Sequence, residues 1–180
     1  MKDGGVQSFI DEKTGDISFD GGSDNRRNVS ARSASRKFYI SRDKSNLYSW
    51  KSRMTSANGT NIFYLRNDNS DEDLYIEEIF CFSDAKCDFD VKWVTGTPTG
   101  TTVTGINWNK NNGKTISVTA LNSGVTGLTG DGDIIDIEVP AGTRQSYDFD
   151  GSLILGDGDA ITITTDAIAN VSINIIGGFE

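Results

Sequence analysis

The chain has 180 residues, a formal charge of −9, no histidine, two cysteines and two prolines. That length suits one domain of ordinary size with an arm or tail attached. Without histidine, Ser-His triads and His-based zinc sites are excluded within this chain, and catalysis by carboxylates stays open.

Isoleucine outnumbers leucine 18 to 7, and threonine occurs 17 times. β-Branched side chains are stiff at χ1 and fit a pleated surface better than a helix. Glycine is scattered among Asn and Asp, the composition of turns. The class read from this is all-β. No stretch sustains apolar residues at the i, i+3, i+4, i+7 spacing of a helix, and no apolar run approaches the roughly 20 residues of a membrane-crossing helix.

The opening "MKDGGVQSFIDEKTGD" is polar and acidic, without the apolar core of a signal peptide, so synthesis in a cytoplasm is expected. Residues 1–24 show no sustained periodicity. A basic stretch, "NRRNVSARSASRKFYISRDK", follows. Residues 1–35 are therefore expected to be a flexible, irregular N-terminal arm, acidic then basic. Arg26, Arg27, Arg32 and Arg36 are its candidate partner-binding residues. The competing reading is a solvated arm with incidental charge.

From Lys37 onward, short alternating runs recur with turn residues between them, the pattern of a sandwich domain over 36–180. Strands are expected over 37–41, 47–54, 60–66, 74–82, 87–95, 102–108, 115–120, 134–139, 146–149, 152–155, 160–165 and 171–176. Two hairpins follow by counting. A loop at 83–86 would set Phe82 opposite Cys87, Phe80 opposite Phe89, Ile76 opposite Trp93, and Glu77 in an ion pair with Lys92. Glu78 spoils the inward face of that pairing, and a bulge near Glu78–Ile79 would repair it. A second hairpin around "NKNNGK" would set Trp108 opposite Ile116 and Ile106 opposite Val118. In this register Cys81 and Cys87 lie on opposite faces of one sheet. They cannot be bridged there and are expected as free thiols.

Two stretches repeat Gly-Asp-Gly-Asp, at 130–133 and 156–159. Asp131 with Asp133, and Asp157 with Asp159, have the alternate spacing of a calcium loop, but no further carboxylate follows at the next alternate position. The preferred reading is of turns feeding strands, with glycines supplying backbone freedom and aspartates solvating the tip. Shared calcium stays open as a lesser reading, and a glycosidase-type carboxylate pair as a weaker one. Trp93 and Trp108 fall on inward hairpin faces and are expected in the core. Trp50 is the tryptophan expected to be exposed, and a carbohydrate-binding reading needs it and Tyr48 at the surface. The acidic body disfavours nucleic acid.

The run "NIFYLRNDNSDEDLYIEEIF" and the ending "SLILGDGDAITITTDAIANVSINIIGGFE" resemble the β-sandwich virion proteins of tailed bacteriophages. The likeness spans roughly 36–180 and is one of pattern; here Gly156–Asp159 stands in for a proline-bearing turn. It implies an antiparallel, jelly-roll-like β-sandwich that decorates or cements a capsid or forms part of a neck, tail or fibre. It also implies a cyclic homo-oligomer, often a trimer, located in the virion and contacting its capsid or tail protein. No catalysis, cofactor, metal, membrane or nucleic acid is expected. A carbohydrate- or receptor-binding module, such as an adhesin or fibre tip, is the rival expectation.

Overall fold

The computed structural model describes residues 7–10, 17–20, 46–57, 59–110 and 116–179, the first two stretches as backbone. Eleven strands occur in order: β1 (Gln7–Ile10), β2 (Ile17–Asp20), β3 (Leu47–Thr55), β4 (Thr60–Asn67), β5 (Leu74–Ser83), β6 (Cys87–Thr102), β7 (Ile106–Asn107), β8 (Val118–Val139), β9 (Thr143–Leu155), β10 (Ala160–Thr165) and β11 (Asn170–Phe179). There is no helix among the described residues.

The body is an antiparallel β-sandwich, as the composition implied. One sheet has the order β7-β3-β11-β5-β9, and the second, of β10, β4, β8 and β6, closes on itself. Trp50, Ile175, Ile79 and Cys81 from the first sheet meet Phe63, Leu65, Phe89, Val91, Ile161 and Ile163 from the second in one apolar core. Closure gives the second sheet a further interior, where Tyr64, Val94, Leu121, Val125 and Ala160 cluster. That explains why Ile62–Leu65 and Ala160–Ile163 are buried without alternation: both faces of these strands are covered.

Within the segment expected as an arm, two short strands are described. β1 and β2 pair antiparallel, with Gln7 opposite Asp20 and Ile10 opposite Ile17. "QSFI" and "ISFD" are short alternating runs flanking a polar loop, and such runs suffice for a hairpin. Arg26, Arg27, Arg32 and Arg36, and the strand expected over 37–41, lie outside the described residues.

The first expected hairpin is not formed. β5 pairs with β11 and β9, whereas β6 pairs with β10 and β8, so residues 84–86 carry the chain from one sheet to the other. Alternation sets which face a residue takes but not which strand lies beside it. The bulge does exist, at Glu77, where the register against β11 shifts between Ile76 and Glu78. One extra residue inverts the phase. Leu74 and Ile76 point inward before it, Ile79 and Cys81 after it, and Phe80 and Phe82 are turned outward. Lys92 pairs with Asp90 at 3.1 Å and Asp133 at 3.5 Å instead of Glu77.

Cys81 and Cys87 consequently point into the same core from facing sheets, and both are free. Burial pushes the Cys81 thiol up to about 12, with a smaller contribution from Cys87, whose own thiol is raised chiefly by burial. Only the thiolate reacts. A maleimide or disulfide reagent at pH 8 is therefore expected to label neither cysteine until the fold opens. Labelling of the native chain within minutes would contradict this burial.

The second hairpin forms only at its base, where Thr102 faces Leu121 and the Val103 amide donates to the Ala120 carbonyl at 2.8 Å, and Ile106 and Trp108 leave it. β7 pairs with the edge strand β3, Tyr48 opposite Asn107, and the Trp108 amide donates to the Leu47 carbonyl at 2.9 Å. Trp108 is thus 50% exposed and Ile106 66% exposed, not core residues. Residues 111–115 lie outside the described ones. Val118 opens β8 opposite Asn67 of β4.

Candidate functional site

The two Gly-Asp-Gly-Asp stretches have different structures. Gly156–Asp159 is the turn expected between β9 and β10. Its closing bond runs from the Asp159 amide to the Gly156 carbonyl at 3.0 Å, and Gly158 sits at φ +81° in its third position. Asp159 Oδ2 also accepts the Gly156 amide at 3.0 Å. A positive φ at that position is what a type II turn asks of glycine. Gly130–Asp133, in contrast, lies inside β8. Gly132 faces Trp93 and Gly130 faces Val94, leaving Asp131 as the extra residue of a bulge. The strand continues because Gly132 accepts φ +139° there.

The stretches meet: Trp93, Thr95, Asp131 and Asp159 line one open cavity of about 320 Å³. No group of three or more His, Cys, Asp or Glu side chains suited to a metal ion occurs among the described residues. Trp50, expected to be exposed, and Tyr48, whose exposure the carbohydrate reading needs, are core residues at 1% and 2% exposure. Half-buried Trp93 and exposed Trp108 are the tryptophans that reach the surface.

A more distinctive surface covers the outer face of the first sheet. Beyond a row of Ser49, Ile176, Glu78 and Asp148, which brings two carboxylates to this face, outward residues of adjacent strands form two cationic rows. One runs Arg53, Ser172, Phe82, Arg144 across β3, β11, β5 and β9; the next runs Lys51, Asn174, Phe80, Ser146. With strands about 4.8 Å apart, Arg53 and Arg144 stand roughly 14 Å apart on either side of Phe82. Between them lies a groove of about 560 Å³, adjoined by a smaller one of about 130 Å³ over Phe80 and Lys51. Among the described residues, no carboxylate lines either groove. Lys51, Arg53 and Arg144 make no ion pair among the described residues.

This is unexpected on charge grounds, because residues 46–179 contain 18 Asp and Glu against 8 Lys and Arg. Three of the few cations share one face, and the Glu77 bulge turns two phenyl rings toward them. Guanidinium forks bind carboxylates bidentately, and aromatic rings give contact area at low entropic cost. The arrangement can hold an acidic, partly apolar surface.

The face of the second sheet turned away from the core has the opposite sign. Asp88 stands opposite Glu138 and Asp90 opposite Asp136 on β6 and β8, two like-charged cross-strand pairs. Asp166 adds its charge beside Asp88, whose amide it accepts at 2.8 Å. Lys86 at 3.0 Å from Glu138, and Lys92, offset only part of this. The Asp88 carboxyl is raised above its ordinary range, first by desolvation and then by Asp166, Asp136 and Glu138.

An acid raised in the folded chain holds its proton more tightly there than in the unfolded chain. Its ionised form therefore costs stability at neutral pH, and the cost disappears as pH falls through the raised value toward the ordinary one. Asp88→Asn is expected to stabilise the fold at pH 7 by on the order of half a kcal/mol. The difference should close as the midpoint is followed toward pH 4. An Asn variant less stable than the parent at pH 7 would contradict this account.

Compared with known proteins, the chain matches no family model, no curated protein and no solved structure.

Proposed function

We propose that this chain is a non-catalytic structural protein of a tailed-bacteriophage virion. It decorates or cements the capsid, or forms part of the neck or tail, through protein–protein contacts, as a homo-oligomer for which a trimer is the favoured form. The jelly-roll-like likeness over 36–180 supplies the context. The observation that supports the reading is the outer sheet face, where Arg53, Phe82 and Arg144 line a groove that holds no carboxylate among the described residues. Aromatic and arginine side chains are the residues in which docking energy concentrates. In this reading Arg26, Arg27, Arg32 and Arg36 contact the same virion partner. Cryo-electron microscopy and mass spectrometry of purified parent particles test it. The chain should be found at defined, repeated positions, and its absence from washed particles would overturn the proposal.

The rival reading, a carbohydrate- or receptor-binding module, draws on the cavity where Trp93 meets Asp131 and Asp159. An aromatic face beside carboxylate acceptors suits a sugar ring and its hydroxyls. A glycan array with the parent chain and Trp93→Ala separates the two. Binding lost in the variant would favour this second reading.

A further inference from the structure

We infer that the cationic groove of one chain docks the acidic outer face of a second copy, so that the protein self-associates head to tail. The inference rests on the reading of the groove as a protein-docking face and names its occupant. Arg53, Lys51 and Arg144 surround Phe80 and Phe82 and make no ion pair among the described residues. Asp88, Asp90, Asp136 and Glu138 present a compact set of carboxylates on the other sheet. Each set lies on the face of its sheet turned away from the shared core, with Asp136 and Glu138 exposed and Asp88 and Asp90 half-buried, so the two point away from each other across the sandwich. One molecule cannot satisfy itself, and a two-fold dimer would set like against like. The contact that satisfies both is heterologous and repeats as an open stack. It is distinct from the ring contacts of a trimer.

Charge complementarity argues for this occupant over an unrelated acidic protein. Lys86 and Lys92 offset only part of the repulsion built into the Asp88–Glu138 and Asp90–Asp136 pairs, and Lys51, Arg53 and Arg144 make no ion pair among the described residues. The expected strength follows from size. The cationic rows cross four strands of about 4.8 Å spacing, whereas the acidic set sits on two adjacent strands, so the contact is smaller than either sheet face. That places the contact below the standard interface class, so weak and reversible association is expected. Because much of the attraction is between exposed charges, salt screens it.

The test is sedimentation of the full chain across concentration, at about 50 mM and about 500 mM salt, which spans the screening range. The weight-average mass should climb above the 19.5 kDa of one chain (or above its ring oligomer) at low salt, and fall back at high salt. Arg53→Glu with Arg144→Glu, and separately Asp90→Lys with Asp136→Lys, should each weaken association about tenfold or more. Mixing the two doubly substituted chains should restore it, because each then offers the other a complementary face. Circular dichroism melts confirm folding, and the salt response of the parent chain needs no variant.

A parent chain whose mass ignores salt and concentration would overturn the inference. So would association that survives both charge reversals. Either result leaves the virion reading standing if the chain is found in particles. A chain absent from particles that still stacks in a salt-sensitive way would sink the virion reading alone.

Discussion

Replacing Trp50 with alanine is expected to lower stability by about 3–5 kcal/mol, the cost of removing a large aromatic ring from a packed core. The indole is 1% exposed and stacks on Tyr48 with ring centroids 6.1 Å apart. Its other side is closed by backbone. At Gly105 an added Cβ would stand 2.5 Å from the indole Nε1, so the loop is shaped to this ring and cannot collapse into the space it leaves. Domains of this size hold about 5–15 kcal/mol in total, so the variant should populate unfolded chain at moderate urea. Gly105→Ala approaches the same contact from the opposite side, and overpacking there should cost about 1–3 kcal/mol. Trp108, half exposed, is the internal control, since its alanine variant should stay within about 0.5 kcal/mol of the parent. Urea melts followed by far-UV circular dichroism measure all three. Equal midpoints for the Trp50 and Trp108 variants would refute the assignment of Trp50 to the core.

The misreading of Trp50 has an identifiable origin. Counting phase from Leu47 puts Lys51 with Leu47 and Trp50 on the opposite face, and Leu47 invites the assumption that its face is the core. In the structure Leu47 is buried on the outer side of its sheet, beside Ile176 and Phe80, in a small cluster of its own. The alternation was legible and the choice of inside was not. The same holds at β5, where the Glu77 bulge inverts the phase halfway along. An expected bulge was readable from the misplaced Glu78, but its consequence, Phe80 and Phe82 outside, depends on where it falls by one residue.

Class and strand positions were recoverable because Ile- and Thr-rich alternation is a local property. β3, β4, β5, β10 and β11 lie close to where periodicity puts them. Partnership is not local. Arg53 and Arg144 come together through β11 and β5, over registers that no nearby residue announces. Lys51 and Arg53 could have been singled out as cations alternating with Trp50 and Ser52 on an otherwise acidic body. The groove they form needed the sheet order.

Asn67→Ala is the second substitution with a large expected effect, and it bears on why the Gly156–Asp159 turn holds its place. Asn67 ends β4 fully buried. Its side-chain amide donates to the Leu155 carbonyl at 2.9 Å and the Glu72 carbonyl at 3.0 Å, while its Oδ1 accepts the Asn69 amide at 3.0 Å. Its main chain completes the clamp, with the carbonyl accepting the Gly158 amide at 2.8 Å and the amide donating to the Asp159 carbonyl at 3.1 Å. Five bonds thus tie β4, the loop before β5, the end of β9 and the turn into β10 to one residue. Alanine keeps the two main-chain bonds and strands three partner groups, of which the Leu155 carbonyl lies at a buried contact. Leaving buried polar groups unmatched costs about 1–3 kcal/mol each, and solvent can reach the loop side, so a total of about 2–4 kcal/mol is expected. Asn67→Asp should be at least as damaging at neutral pH, because it sets a carboxylate against two carbonyl oxygens. Its deficit should shrink as pH falls and the acid becomes a donor. Hydrogen exchange distinguishes a clamp from a generic core residue. Amides of Gly158 and Asp159 should lose protection first in Asn67→Ala, with Ile173 and Ile175 of β11 following only at global unfolding. Uniform loss of protection across the sandwich would show that Asn67 supports the core as a whole and does not pin this turn.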